Sequence, residues 1–268
     1  MDAHTTSVIE EAATALRRSR YTVALTGAGL SAESGVPTYR GSGGVWTRFG
    51  EPTIDGWELF TRDPAAWWAE ALDPRHRETE FARALEAAKP NAGHLAMAAL
   101  EAAGYLQHVI TQNIDNLHQA AGQRSLTEIH GNRAMVRCMS CGRRVPLRDV
   151  PQGRLPPACG VCGGVLKNDT VMFGEPIPAD ALDACYLHAS RAEAFLVVGT
   201  SAVVYPAADF PVLAKRRGAT LIEVNPEETA LSALADVVIR AAAGEALPSL
   251  AALLTAEDTG WPGGEGRT

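Results

Sequence analysis

The chain lacks the features that would send it to a membrane or out of the cell. No apolar run approaches the ~20 residues needed to span a bilayer, and the opening MDAHTTSVIEEAATALRRSR lacks the basic-then-apolar order of a signal peptide. The expectation is a cytoplasmic protein with no membrane partner. A basic excess is also missing: the formal net charge of -7 offers no broad cationic face for phosphates, so nucleic acid is not an expected partner. No internal repeat is visible. Disulfides are not expected either, because 268 residues with 46% hydrophobic composition can bury a large core without them. Metal binding is then the better use for most of the five cysteines.

What is present is an alternation of elements. Residues 7 to 18 read as an amphipathic helix, and YTVALTGAG reads as a buried strand entering a glycine-rich turn. Further strand-like runs are YLQHVIT (105–111), AFLVVGTS (194–201), ATLIEVN (219–225) and ADVVIR (235–240), with helical patterns such as HLAMAALEAAG and ADFPVLAKRRG between them. Such alternation implies a parallel sheet covered on both faces. Two segments break it. Residues 42–88 hold four of the five tryptophans and several prolines with no clear strand, and residues 138–168 are rich in Cys, Gly and Pro. Both read as insertions forming a smaller lobe.

Gly27-Ala-Gly29-Leu-Ser-Ala32 fits G-x-G-x-x-G/A directly after a strand, where backbone can approach a pyrophosphate. Another absence limits this reading. No acidic residue stands at the end of a second strand ~20 residues later to hold ribose hydroxyls, so a plain hydride-transfer enzyme is disfavoured. The stretch TQNIDNLH (111–118) crowds Gln112, Asn113, Asp115 and His118 at a strand's carboxyl end. One of them would suffice to cap a helix, and the surplus points to a polar ligand.

Cys138-Met-Ser-Cys141 and Cys159-Gly-Val-Cys162 enclose seventeen residues, the spacing of a structural zinc site. Gly142, Gly160, Gly163 and Gly164 are expected to supply the unusual backbone angles of the two knuckles. Four thiolates fill a tetrahedral shell and leave no position for water, so the zinc is expected to be structural. A zinc ribbon gripping nucleic acid is the competing reading, but the residues between the pairs include no aromatic on which a base could stack. Cys185, in ALDACYLHAS, reads as a buried helix residue.

GAGLSAESGVPTYRG, TQNIDNLH, IHGN, the cysteine quartet, VMFGE, GTSAVVYPAA and VNPEE occur in that order between residue 27 and about 228. Together they resemble the sirtuin family of NAD-dependent protein deacylases. The resemblance implies an α/β fold: a Rossmann-like doubly wound parallel sheet with a smaller zinc-binding lobe built from insertions. It suggests one catalytic domain over 1–255, with a Rossmann lobe at about 1–41, 89–135 and 169–255 and a small lobe at about 42–88 and 136–168. The remaining 256–268 read as a disordered tail.

The resemblance also implies a site. Gly27, Ala28, Gly29, Ala32, Glu33, Tyr39 and Arg40 belong to the loop over the pyrophosphate and nicotinamide ribose. Asn113 and Asp115 line the nicotinamide pocket, with Gln112 toward the ribose. Gly199, Thr200 and Ser201 match the phosphate and ribose turn, and Asn225 the adenosine side. His130 matches the catalytic histidine; an imidazole titrating near neutrality suits proton abstraction from a ribose hydroxyl. Val171, Phe173, Gly174 and Glu175 match the substrate strand, whose backbone pairs with an extended peptide. His94 and His118 read as structural.

The implied chemistry consumes NAD. The acyl oxygen attacks the anomeric carbon of the ribose as nicotinamide departs, giving an alkylimidate; His130 assists a ribose hydroxyl to attack the imidate carbon, and water then releases the lysine amine. Acetylated lysine-containing proteins are the implied partners, with acyl-CoA synthetases the suggested targets.

Family members that remove succinyl or malonyl groups carry a Tyr and an Arg three residues apart. Here the nearest alignment gives Trp68 and Ala71, with Arg75 and Arg77 as more distant cations, so acidic acyl groups are expected to be poor substrates. Tyr39 stands where Phe is common, Met172 where an aromatic or Val is common, and Asn168 replaces the usual Pro before Asp169. The alternatives are a longer-chain deacylase, a mono-ADP-ribosyltransferase on the same NAD site, and a zinc-ribbon module that binds without turnover.

Overall fold

The computed structural model describes residues 2–40, 44–50, 55–77, 79–150 and 153–256. The tail from 257 and residues 41–43 of the loop after the glycine turn lie outside them.

Among the described residues, nine strands form two sheets. They are β1 (Thr22–Thr26), β2 (His108–Thr111), β3 (Leu126–Glu128), β4 (Met135–Cys138), β5 (Arg144–Pro146), β6 (Leu166–Asn168), β7 (Ala194–Val198), β8 (Thr220–Val224) and β9 (Val237–Ile239). The larger sheet has the order β3-β2-β1-β7-β8-β9 with every pairing parallel. Chain order reverses between β1 and β7, which is the switch point of a doubly wound sheet.

Alternation of side chains along each strand divides the core. Ala24, Val109, Leu196 and Ile222 face one side, packed with the helices Ala3–Arg18, Ala92–Ala102 and Ala243–Thr255. Val23, Leu25, Ile110, Phe195, Val197 and Leu221 face the other, against Ala179–Arg191 and Asp209–Arg216. Cys185 lies fully buried in that second layer. Residues 7 to 18 are expected to be helical; the helix begins at Ala3, because the Asp2 side chain accepts from Thr5 N and caps it there. The last helix adds a third element to the first layer despite Pro248 in its interior.

The smaller sheet is antiparallel, in the order β5-β4-β6. Its inner face packs Val136, Cys138 and Leu166 against Phe60 and Trp68, with Trp57 and Trp67 beside them. Phe60 and Trp68 come from the helices Gly56–Arg62 and Pro64–Ala71. Trp68 Nε1 donates to Leu166 O at 2.8 Å, so this indole joins one insertion to the other. The two insertions thus share one core. No helix among the described residues is long and apolar enough to cross a membrane.

Among the described residues, three histidines, His94, His108 and His118, are buried. His118 Nε2 meets Thr26 Oγ1 at 2.9 Å, and its ring stands edge-on to His94, centroids 5.4 Å apart. His94 completes a capping box with Asn91 at the start of its helix. His108 sits between Ser125 and Thr127 at 2.8 Å from each and stacks on His188 at 3.5 Å. Burial pulls His94 down to about 4, and His108 and His118 to about 3. The native state therefore excludes protons that the unfolded chain takes up below 6.5, and stability present above 6.5 is lost as pH falls toward those lower values. Each proton removes about 1.4 kcal/mol per pH unit. Urea midpoints measured between pH 7 and pH 5 are expected to fall steeply, and His108→Gln is expected to flatten the slope.

Candidate active site

The site begins with strand register. Glu128, Thr111, Thr26, Val198 and Val224 are aligned partners across β3, β2, β1, β7 and β8, so five strands end in one row. The residues just beyond that row are His130, Gln112, Gly27, Gly199 and Asn225. All five line one cleft of about 930 Å³ outside the carboxyl ends of the strands.

At the switch point two loops touch through glycines. A Cβ on Gly29 would lie 2.7 Å from Gly199 Cα, and one on Gly199, whose φ is +58°, would lie 2.4 Å from Leu30 N. Any side chain here would push the β1 and β7 loops apart. The same contact leaves backbone, with no side chain over it, facing the cleft, as close approach of a pyrophosphate requires. Glu33 accepts from Gly244 N at 2.6 Å and so also fastens the turn to the last helix.

His130 is half-buried and lines the cleft. Its Nδ1 lies 3.2 Å from the Gln112 carbonyl, which can only accept, so Nδ1 carries the proton and Nε2 is the basic nitrogen. Burial moves the imidazole below its ordinary value, and the Gln112 bond opposes that only in part. The next residue, Gly131, has φ +73°, and a Cβ there would be 1.9 Å from Asp169 O. The Asp169 side chain, fully buried, accepts from Asn132 N at 3.0 Å, Arg137 Nε at 2.9 Å and Arg144 Nη2 at 2.5 Å. Arginines of the smaller sheet thereby hold the loop that presents His130.

The polar cluster after β2 is largely spent on the protein itself. Gln112 Nε2 donates to Thr200 Oγ1 at 2.9 Å, and Asn113 Nδ2 donates to Gly27 O and Ser31 Oγ at 3.0 and 3.1 Å. Both residues line the cleft, but Asp115 does not. Asp115 accepts from Ser31 Oγ at 2.7 Å and from Leu117 N at 2.9 Å, and so stands behind Ser31, bracing it. Asp115, expected at the nicotinamide pocket, is joined through Ser31 Oγ to the lining residue Asn113. Asn225 Nδ2 reaches Thr200 O at 3.2 Å, tying the fourth and fifth strand ends together.

The remaining expected residues, Ala28, Ala32, Tyr39, Arg40, Ser201, Val171, Phe173, Gly174 and Glu175, all line the cleft. Sequence reasoning did not single out Trp46, Ile114, Tyr205, Glu227 or Glu228, which also line it. Trp46 lies under the Arg40 guanidinium at 4.3 Å and beside Phe173 at 5.7 Å. Trp68 is in the core of the smaller lobe and not in the cleft, Ala71 does not line it, and Arg75 pairs with Asp73. The Arg77 side chain lies outside the described ones. Among the described residues, Arg40 is the one Lys or Arg in the lining, against Glu33, Glu175, Glu227 and Glu228.

The four sulfurs of Cys138, Cys141, Cys159 and Cys162 lie within 4.8 Å of one another. Zinc–sulfur bonds of about 2.3 Å set tetrahedral ligands about 3.8 Å apart. Cys138–Cys162 at 3.5 Å and Cys141–Cys159 at 3.9 Å bracket that spacing, with no disulfide formed. The N–H groups of Cys162 and Val161 hold the Cys159 thiol down to about 6. At Cys162 the Gly164 N–H pulls the same way, but bonds shared with Cys138 and Cys141 outweigh it and push the thiol up to about 12. Gly142 and Gly163 take left-handed angles as expected, whereas Gly160 does not and Gly164 instead permits close approach to Ser140. The donor set fits a closed, structural Zn²⁺.

A doubly wound sheet with its cleft at the switch point and a four-cysteine lobe inserted beside it defines a dinucleotide-binding class of α/β protein. The chain belongs to the Sir2 family, whose model matches residues 27–206. It is 47% identical to NAD-dependent protein deacylase 2 of Pyrobaculum aerophilum over 235 residues, 88% of this chain and 91% of that one. Among solved structures, a Sir2 homolog–NAD complex is 39% identical with a TM-score of 0.75, covering 92% of this chain and 94% of that one. A histidine-to-alanine Sir2 variant with deacetylated p53 peptide and 3'-O-acetyl ADP-ribose is 34% identical, TM-score 0.74, covering 90% and 96%.

Metal analysis of the purified protein is expected to give one zinc per chain. Chelation, or Cys159→Ala, is expected to remove it and lower the melting temperature, since the smaller lobe loses its cross-link. A zinc-free protein with unchanged melting would contradict the assignment.

Proposed function

We propose that this chain is an NAD-dependent protein lysine deacetylase, giving nicotinamide, O-acetyl-ADP-ribose and free lysine. The observation that carries the reading is the convergence of the glycine turn, Gln112 and Asn113, His130 and residues 171–175 on one cleft. Its relatives are named for NAD-dependent deacylation, and one is seen with a deacetylated peptide and an acetylated ADP-ribose.

The NAD pyrophosphate lies over Gly27, Ala28 and Gly29, with Arg40 beside it and Thr200, Ser201 and Asn225 toward the adenosine. The nicotinamide end enters near Asn113, whose wall is braced by Ser31 and Asp115. His130 Nε2 takes the proton of a ribose hydroxyl, while Gln112 O fixes the tautomer. The backbone of Val171 to Glu175 meets the extended peptide, and Phe173 borders the acyl-lysine. With NAD bound, the departing nicotinamide supplies the leaving group and the ribose the acceptor.

Arg40, the one Lys or Arg among the described residues of the lining, stands against Glu227 and Glu228, which disfavours succinyl and malonyl groups. Trp46, Phe173, Ile177 and Leu182 give the cleft an apolar side, and this favours a second reading in which longer acyl chains are also removed. We assign the protein to the cytoplasm as a single catalytic domain over 1–255, with acyl-CoA synthetases among its targets.

His130→Ala is expected to lower NAD-dependent deacetylation by about 10²- to 10⁴-fold, the usual contribution of a general base. Because the working form is neutral and burial lowers its pKa, kcat/KM is expected to stay level near neutrality and to fall with decreasing pH only below 6.5. An unchanged rate in the variant would overturn the role of His130.

A further inference from the structure

Lys167 is one of three lysines among twenty-four basic residues, and it is 1% exposed. A lysine is almost never fully buried without a partner, since desolvating an ammonium costs several kcal/mol. Its partners all come from the segment that follows it. Nζ donates to Asn168 O and Thr170 O at 2.7 Å each, approaches Asn168 Oδ1 at 3.2 Å, and forms an ion pair with Glu175 Oε2 at 3.0 Å. The ammonium has three protons, and this set satisfies them all. Residues 168–175 therefore fold around one buried cation.

The other end of the pair is equally committed. Glu175 Oε2 also accepts from Met172 N at 2.8 Å, and Glu175 N donates to Met172 O at 3.0 Å. Its carboxylate is 9% exposed, so it is engaged with the protein more than offered to a ligand. Between the two anchors lie Val171, Met172, Phe173 and Gly174, which face the cleft, and Val171 N donates to His130 O at 2.9 Å. Burial pulls the Lys167 pKa down and the Glu175 carboxylate opposes it.

We propose that Lys167 is a positioning residue, which through its ion pair with Glu175 sets the shape of the 171–174 segment that receives the acyl-lysine peptide. Lys167 itself does not line the cleft. The inference rests on the deacetylase reading for the identity of the ligand, but the geometry of the segment can be measured without it.

The test compares the zinc-loaded full chain with Lys167→Met, Glu175→Gln and the double variant, which removes both charges. Three readouts are taken: hydrogen exchange of residues 170–175 in the free protein, Michaelis constants for an acetyl-lysine peptide and for NAD, and melting temperature. Each variant is expected to speed exchange in that segment and raise the peptide KM by about tenfold or more, misplacement of a binding segment being that costly. The KM for NAD is expected to stay within about twofold, since the contacts there are untouched. The double variant is expected to recover melting temperature, having no unpaired buried charge, without recovering peptide KM. If it recovers both, or if peptide and NAD constants rise together, Lys167 is only a stabilising residue and the proposal is wrong. If Lys167→Met does not fold, Glu175→Gln, which keeps the volume and the lysine, decides the question by the same readouts. A native protein without deacetylation, whose variants nonetheless loosen 170–175, would break the deacetylase reading and leave the positioning of the segment standing.

Discussion

Thr26 is aligned with Thr111 on one side and Val198 on the other, and from that row the rest of the cleft follows. Parallel pairing with aligned carboxyl ends brings five loops to a single edge of the sheet, though they are separated by up to about two hundred residues in the chain. The loops of β1 and β7 can then approach only because Gly29 and Gly199 have no Cβ to place between them. Register supplies the address of the site, and the glycine contact supplies room for a ligand at the switch point.

The second constraint is buried charge. Asp169, held by Arg137 and Arg144, ties β4 and β5 to the loop carrying His130, while Lys167 in β6 ties the same sheet to residues 168–175. Cys138 and Leu166, which frame the zinc knuckles, are paired residues in β4 and β6. The metal site lies outside the cleft lining, yet the sheet it closes supplies the ion pairs that orient the His130 loop. Buried pairs of this type are poor sources of net stability but have few alternative arrangements, which suits a role in fixing geometry.

Much of this was legible in the sequence because its signals are local. The apolar runs of β1, β7 and β8, the Gly27–Gly29 turn and the cysteine spacing each lie within a few residues, and the order of seven motifs pointed to His130. What was not legible depends on contacts between distant residues. β3 is three half-buried residues at a sheet edge and has no periodicity to detect. Asp115 was legible as one of a surplus of polar residues at a strand end, but its hydrogen bond to Ser31 in the β1 turn depends on a contact across the chain. Trp46 and the Lys167–Glu175 pair lack any short-range signature: a lone lysine after a cysteine pair looks like a solvated residue until the chain is seen to fold over it.

The central claim is that NAD and an acyl-lysine peptide react in the one cleft, with the acyl group passing to ADP-ribose. The most direct measurement is the product balance, by mass spectrometry, of a single reaction containing NAD and an acetyl-lysine peptide. The account predicts free lysine, nicotinamide and O-acetyl-ADP-ribose in equal amounts, with no release of nicotinamide when the acetyl group is absent. Nicotinamide released with the peptide still acetylated, or ADP-ribose found attached to protein, would contradict it.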